Sequence, residues 1–231
     1  MKQVFIVQEN HPALLLFFAG WGADETPFKA YRPQQADYMV CYDYRTTDFD
    51  ASLLAGYTTM DVVGWSMGVW AASQVIGRLL AGGTALPRCR MCRAVNGTPF
   101  PVDDGLGIPK EIYRGTLEGL SGASLNKFLR RMCGSADAYR EFLAVTPRRP
   151  LEELREELIA IEEAARATSL PENIWNTALV GGSDRIIPPE NQQRAWKKIQ
   201  TDYPEQFGTC EVRPELPHYS RLLFHEIFQS V

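Results

Sequence analysis

Three side chains spread along the chain have the types needed for nucleophilic catalysis by a serine. Ser66 lies at the centre of Gly64-Trp65-Ser66-Met67-Gly68, a G-x-S-x-G pattern. A serine hydroxyl becomes a strong nucleophile when a neighbouring base takes its proton and a carboxylate orients that base. The sequence offers His218 as the base and Asp184 as the carboxylate. We therefore predict acyl transfer with Ser66, His218 and Asp184 as the catalytic residues.

The residues around Ser66 predict a sharp turn between a strand and a helix. In α/β-hydrolases this pattern forms a nucleophile elbow that exposes the serine at the carboxyl edge of the sheet. Residues 59–63 have strand character and residues 67–80 have helical spacing. Gly64 and Gly68 are expected because a Cβ would crowd the crossing. The alternative is an ordinary glycine-rich turn.

Element context and chain order decide between the possible bases and acids. His218 lies in a loop after the last predicted strand, whereas the other two histidines fall in an early turn and inside the last predicted helix. Asp43 and Asp61 compete with Asp184 for the carboxylate role, but both precede the serine. The order serine, acid, histidine favours Asp184. Asp184 is also placed to cap the helix that follows it.

Backbone amides are available for the negative charge that develops on a substrate carbonyl. Ala19-Gly20-Trp21-Gly22 follows an apolar strand candidate, and its glycines permit a sharp turn above the sheet edge. We expect the N–H groups of Trp21 and Met67 to form an oxyanion hole, as the equivalent turns do in α/β-hydrolases. The alternative for the first turn is a glycine-rich bend with a surface tryptophan.

The elements that position these residues alternate along the chain. Strand candidates occur at residues 4–7, 13–18, 37–44, 59–63, 93–99, 176–184 and 208–213. Helical patterns between many of them predict an α/β-hydrolase fold with a mostly parallel central sheet and flanking helices. The first two strands are expected to pair as a hairpin, because residues 8–12 have turn composition.

The alternation breaks after the Val95 strand, where helix candidates occur at residues 125–132, 136–143 and 151–167. We interpret them as a cap. The predicted division is a core of residues 1–101 and 170–231, with a cap or lid over residues 102–169.

The charge of the predicted cap is uneven. Basic residues dominate 127–149 and acidic residues dominate 150–167. One interpretation is that the basic half meets an anionic partner while the acidic half faces away; the alternative is two solvated helix faces. The candidate contacts are Arg130, Arg131, Arg140, Arg148 and Arg149.

Composition limits the other functions. The net charge of −4 disfavours nucleic-acid binding, and no apolar run reaches the length of a membrane span. Five cysteines and no visible signal peptide favour a cytoplasmic protein. Cys89 and Cys92 have the spacing of a metal or redox pair, but no second pair or nearby histidine accompanies them. We expect no metal and no cofactor.

Taken together, the motifs resemble the BioG family of pimeloyl-[acyl-carrier protein] methyl ester esterases. The resemblance covers nearly the whole chain and rests on Phe17–Gly22, Tyr42–Arg45, Gly64–Trp70 and Asn96–Pro101. It implies hydrolysis of pimeloyl-ACP methyl ester to pimeloyl-ACP and methanol in biotin synthesis. It also implies an acidic acyl carrier protein as the partner of the cap arginines. We expect a monomer.

Two other functions stay open. A broader serine esterase or acyl thioesterase would use the same three residues. A hydrolase-fold protein that binds without catalysing is the second, and the intact set of serine, histidine and aspartate disfavours it.

Overall fold

A computed structural model describes residues 1–169 and 171–229 of the chain. Its strands are β1 (Lys2–Val7), β2 (Ala13–Phe18), β3 (Asp37–Tyr42), β4 (Thr59–Trp65), β5 (Arg88–Val95), β6 (Thr177–Gly181) and β7 (Thr209–Arg213). Its helices are α1 (Met67–Ala81), α2 (Lys110–Glu118), α3 (Gly122–Cys133), α4 (Ala136–Leu143), α5 (Leu151–Ala167), α6 (Pro189–Asp202) and α7 (Arg221–Gln229).

The strands form one sheet in the order β1-β3-β2-β4-β5-β6-β7. All neighbouring pairs are parallel apart from β1 with β3. Parallel strands joined through helices are typical of α/β proteins, and the arrangement confirms the predicted α/β-hydrolase fold.

The predicted opening hairpin is wrong. β1 pairs with β3, with Val4 opposite Val40. β2 lies between β3 and β4 and pairs in parallel with both, so neither of its edges is left for β1. β1 takes the outer edge of β3 instead, where most of its residues are partly exposed.

The interior of the sheet anchors the last helix. All six residues of β2 are buried, as expected for a strand covered on both faces. The Phe17 ring lies 5.8 Å from the Phe224 ring and 5.4 Å from the Phe228 ring, measured between centroids. These contacts hold α7 against β2. The loop that precedes α7, which contains His218, is thereby held at one end.

The four helices α2–α5 fall between β5 and β6, where the sequence predicts a helical insertion. The sequence pattern does not predict α2, which contains Gly115 and few apolar residues. Packing explains its formation, because Tyr113 is buried and its hydroxyl donates to the Leu158 carbonyl of α5 at 2.7 Å. We propose that residues 102–169 are the cap and that 1–101 and 170–231 are the core. Residues 170, 230 and 231 lie outside the described part.

Within the part of the chain that the structure describes, no helix has the length and apolar character to cross a membrane.

Candidate active site

Ser66 occupies the turn between β4 and α1. Its backbone has φ 58° and ψ −126°, a conformation that costs a non-glycine residue on the order of 1–3 kcal/mol. A Cβ at Gly68 would collide with the Phe18 carbonyl, and one at Gly64 would lie 2.7 Å from the Trp175 ring. Close approach therefore requires both glycines, as the sequence predicts.

Ser66, His218 and Asp184 form one line of hydrogen bonds. His218 Nε2 is 2.9 Å from Ser66 Oγ, and His218 Nδ1 is 2.7 Å from Asp184 Oδ2. All three residues are buried. Because a carboxylate only accepts hydrogen bonds, Nδ1 donates to Asp184 and leaves Nε2 to accept from the serine hydroxyl. The arrangement is chemically able to withdraw the proton of Ser66.

Hydrogen bonds to both carboxylate oxygens fix the side chain of Asp184. Oδ1 accepts from the backbone N–H groups of Ile186 and Ile187 at 2.8 and 3.0 Å. Oδ2 accepts from the Gln192 side chain at 2.8 Å as well as from His218. The carboxylate thus shapes the turn before α6 and orients the imidazole. Gln192 has no sequence signature that would have revealed it.

The loop with His218 is held by buried donors from β4 and from the end of β5. The Asn96 side chain donates to the carbonyls of Pro217 and His218, both at 2.9 Å, and accepts from the Gly181 N–H at 2.7 Å. The Trp65 indole N–H also donates to the His218 carbonyl at 2.9 Å. These hydrogen bonds fix the backbone at His218 and so help to position its imidazole relative to Ser66.

The competing aspartates are paired elsewhere. The two carboxylate oxygens of Asp43 accept hydrogen bonds from Nε and Nη2 of Arg45, both at 2.8 Å. Burial alone would raise the pKa of Asp43, but hydrogen bonds and the charges of Arg45 and Arg149 lower it. Asp61 pairs with Arg90. Neither carboxylate contacts a histidine among the described residues.

The residues that carry the two predicted oxyanion amides line the cavity that contains Ser66. Trp21 and Met67 both line it, together with Ser66 and His218. Among the described residues, neither the Trp21 N–H nor the Met67 N–H has a hydrogen-bond acceptor. Two amides without an acceptor, on residues that line one cavity, are suited to bind a developing oxyanion.

Cap side chains close the cavity over Ser66. Its apolar wall, for which the sequence has no local motif, is formed by Ile108, Ile112, Tyr113, Phe128, Met132, Leu158 and Ile186. Arg131 and Arg185 also line it. Several of these residues lie on α2 or α3, so their contribution depends on how the cap folds onto the core.

A second, open cleft of about 1250 Å³ lies between α2 and α3. It shares five lining residues with the Ser66 cavity: Trp21, Ile112, Thr116, Phe128 and Arg131. Its charged lining is mainly basic, with Lys110, Arg114, Lys127, Arg130 and Arg131 against Asp104, Glu111 and Glu118. The cleft therefore forms a basic approach to the site.

The expectation that Arg149 contacts a carrier protein is wrong. Its side chain is 4% exposed and lies 2.7 Å from Glu157 Oε2 and 3.0 Å from Asp43 Oδ1. Its guanidinium is engaged inside the protein. Glu157 is itself fully buried, so the acidic half of the cap does not simply face away.

The other four cap arginines are exposed: Arg130, Arg131, Arg140 and Arg148. Arg130 lies over the Tyr139 ring, 5.0 Å from its centroid. Arg140 pairs with Asp137 on α4 at 3.0 Å. Contact of these four with a carrier protein stays a prediction.

Cys89 and Cys92 lie near the start of β5, whereas the site residues follow its end. Their sulfur atoms are 2.8 Å apart. The hydrogen bond between the thiols lowers the pKa of Cys89 and raises that of Cys92. Within residues 1–169 and 171–229, no group of three or more His, Cys, Asp or Glu side chains could hold a metal ion.

Comparison with known proteins relates the chain to one esterase family. A family model described as pimeloyl-ACP methyl esterase BioG matches residues 1–218. A crystal structure of selenomethionyl BioG from Haemophilus influenzae is similar with a TM-score of 0.80 and 33% identity over 97% of each chain. A lipase-esterase related protein from Clostridium acetobutylicum shares the fold, with a TM-score of 0.60 and 13% identity over 94% of this chain and 91% of that chain.

One similar protein is much longer. The chain is 53% identical over 186 residues to a malonyl-[acyl-carrier protein] O-methyltransferase of Bacteroides fragilis. The match covers 80% of this chain and 36% of that protein. This chain therefore spans about a third of the length of that relative.

Proposed function

The chain belongs to the pimeloyl-ACP methyl esterase BioG family, and we propose that it hydrolyses the methyl ester of pimeloyl-[acyl-carrier protein] to pimeloyl-ACP and methanol. The observation that carries the reaction type is the line of hydrogen bonds from Asp184 through His218 to Ser66 in an apolar cavity. The family description supports the substrate.

In the proposed first half-reaction, His218 Nε2 takes the hydroxyl proton while Ser66 Oγ attacks the ester carbonyl. Asp184 keeps Nδ1–H in place and stabilises the imidazolium that forms. The Trp21 and Met67 amides bind the oxyanion, and in other hydrolases each such donor contributes about 2.7–4 kcal/mol. His218 then gives its proton to the departing methoxide.

In the second half-reaction a water molecule enters where methanol has left. His218 takes its proton, and the resulting hydroxide attacks the acyl group on Ser66. As the second tetrahedral intermediate collapses, His218 returns the proton to Ser66 Oγ and the serine hydroxyl is restored. The free carboxylic acid at the end of the acyl chain then loses its own proton to water.

Two features of the site suit an acyl chain that stays attached to a carrier. Apolar side chains such as Phe128 and Met132 line the cavity near Ser66, and burial of methylene groups there is favourable by about 0.8 kcal/mol each. The basic cleft that adjoins the cavity would receive the acidic carrier. The name of the Bacteroides fragilis relative also refers to an acyl carrier protein, which supports the same kind of partner for this chain.

A substrate comparison tests the proposal. The purified chain is offered the methyl ester of pimeloyl-ACP and, separately, an acyl-ACP thioester without a methyl ester. We expect release of methanol from the first and no release of free acid from the second. Cleavage of the thioester would indicate a thioesterase. No turnover and no labelling by a fluorophosphonate would indicate a protein that only binds. Rescue of a biotin-requiring strain that lacks its own esterase tests the same activity in cells.

The carrier contact is tested separately by reversing one charge at the cleft. Arg130→Glu should raise KM for the carrier-bound ester and leave KM for a small ester unchanged, because Arg130 lines the cleft but not the Ser66 cavity. Arg166→Glu is the matched control, since Arg166 is exposed on α5 and lines neither space. Equal effects of Arg130→Glu on both substrates would contradict carrier binding at the cleft.

A further inference from the structure

Cap helix α5 is bonded directly to the loop that carries the Trp21 amide. The Trp21 indole N–H donates to the Leu154 carbonyl of α5 at 2.9 Å. The next residue, Gly22, donates its backbone N–H to Glu157 Oε2 at 3.4 Å. Gly22 has φ 74°, so this side of the loop depends on a left-handed turn. Two consecutive residues of the loop are therefore attached to one helix of the cap.

Glu157 joins that loop to the end of β3. Its other oxygen, Oε1, accepts from the Tyr44 backbone N–H at 2.8 Å. The Tyr44 hydroxyl in turn donates to the Ala19 carbonyl at 2.6 Å. The loop from residue 19 to 22 is thus bonded at its start through Tyr44 and at its end through Glu157.

The position of Glu157 is unusual for a carboxylate. Glu157 is fully buried and pairs with Arg149, whose side chain is 4% exposed. A buried ion pair commonly gives little net stability, because desolvation offsets the attraction between the charges. A gain in stability therefore does not account for this arrangement by itself. Both oxygens of Glu157 meet backbone N–H groups beside the site, which points to control of backbone geometry.

We propose that Glu157 is a positioning residue that fixes the Trp21 amide relative to Ser66 through the loop 19–22. The proposal rests on the function proposed above, in which that amide binds the oxyanion. It makes α5 a fixed part of the active site, in contrast to a lid that lifts away as a whole. Glu157 itself touches neither Ser66 nor the cavity around it.

The expected effect follows from the sensitivity of oxyanion binding to distance. Loss of one oxyanion donor lowers kcat by about 10²–10³-fold, and a displacement of about 1 Å near a reacting centre costs about 10²-fold. Glu157→Gln keeps the shape of the side chain but replaces one accepting oxygen by an NH₂ group. It cannot accept from both Tyr44 and Gly22, so the loop shifts while the amide is retained. We expect kcat to fall about 10-fold with KM unchanged.

The matched control is Glu153→Gln. Glu153 lies one turn earlier on α5 and also approaches Arg149, at 3.5 Å. It has no hydrogen bond to the loop 19–22 among the described residues. Both variants remove one negative charge near Arg149, but Glu157→Gln alone changes the attachment of the loop.

The experiment measures kcat and KM on p-nitrophenyl butyrate together with hydrogen exchange of the peptide that contains residues 19–23. We expect Glu157→Gln to lower kcat and speed exchange in that peptide, and Glu153→Gln to do neither. If Glu157→Gln does not fold, Trp21→Phe carries the test, since it removes the bond to Leu154 and keeps the backbone amide. It should lower kcat in the same way.

Three results would overturn the proposal: wild-type kcat in Glu157→Gln, faster exchange without a loss of kcat, or equal losses in both glutamate variants. Failure of the proposed function has a different signature. In that case the wild-type chain would release no methanol from the methyl ester of pimeloyl-ACP, and faster exchange in Glu157→Gln alone would still support fixation of the loop by Glu157.

Discussion

Replacing Asp184 by asparagine tests how one buried carboxylate controls the protonation of His218. The carboxylate accepts four hydrogen bonds, two on Oδ1 from Ile186 and Ile187 and two on Oδ2 from Gln192 and His218. Asparagine has one accepting oxygen, and the two backbone donors hold it at the Oδ1 position. Its NH₂ group then faces the imidazole, so His218 must accept at Nδ1 and carry its hydrogen on Nε2.

With a hydrogen on Nε2, His218 cannot take the proton of Ser66. In the triad of serine proteases the equivalent substitution lowers kcat by about 10⁴-fold, which corresponds to about 5.4 kcal/mol of activation free energy. We expect a loss of about 10³–10⁴-fold here. The free energy of unfolding should also fall by about 1–3 kcal/mol, because a buried N–H of Gln192 loses its acceptor.

Steady-state kinetics on p-nitrophenyl butyrate and urea unfolding measure the two effects. The double variant Asp184→Asn/Gln192→Met separates them, since methionine removes the donor that conflicts with the asparagine NH₂ group. Its stability should exceed that of Asp184→Asn, while kcat stays low. A kcat for Asp184→Asn within 10-fold of wild type would refute the role assigned to the carboxylate.

Two further predictions concern the elements that support the site. Gly68→Ala places a Cβ against the Phe18 carbonyl and should lower the free energy of unfolding in urea by about 3 kcal/mol or more; an unchanged urea midpoint would contradict the close approach. Asp37 links the β1–β2 turn to β3. Burial alone would raise its pKa, but two backbone N–H groups and the His11 and Tyr57 side chains lower it to about 2. Because the folded pKa lies below the unfolded value, stability from Asp37 is complete above about pH 4 and is lost as the pH falls toward 2. Asp37→Asn should abolish that fall in a series of urea midpoints, and an identical pH dependence in both proteins would disprove it.

The residues that meet at the site were predictable because each belongs to a separate local pattern. Ser66 has its glycines, and both Asp184 and His218 follow strand patterns. Parallel strands end at the same edge of a sheet, so chain order alone places the three together. The structure agrees, with 2.9 and 2.7 Å between successive members.

The cap was less predictable, because its helices are determined by contacts distant in the sequence. α2 contains a mid-helix glycine and depends on Tyr113 against α5. Arginine is usually found at the surface, yet the Arg149 side chain is buried and pairs with two carboxylates from separate segments of the chain. Likewise, nothing in the local sequence around Gln192 or Asn96 indicates that the residue supports the site. Their roles arise from the partners that the fold brings to them.

The order of the first strands was mispredicted for a related reason. A turn between two apolar runs is compatible with a hairpin and with two strands separated in the sheet. The choice depends on β3 and β4, which take both edges of β2. Which strands occupy the edges of β2 can be decided only when all strands of the sheet are considered together.

Hydrolysis of the methyl ester of pimeloyl-ACP by wild type and by Ser66→Ala, followed as methanol release, tests the central claim most directly. Ser66 Oγ is the only protein atom that bonds to the acyl group in the proposed mechanism. We expect rapid release by wild type and a loss of at least about 10³-fold in Ser66→Ala, whose circular dichroism spectrum and urea midpoint should confirm an intact fold. Methanol release by Ser66→Ala at the wild-type rate would contradict the account.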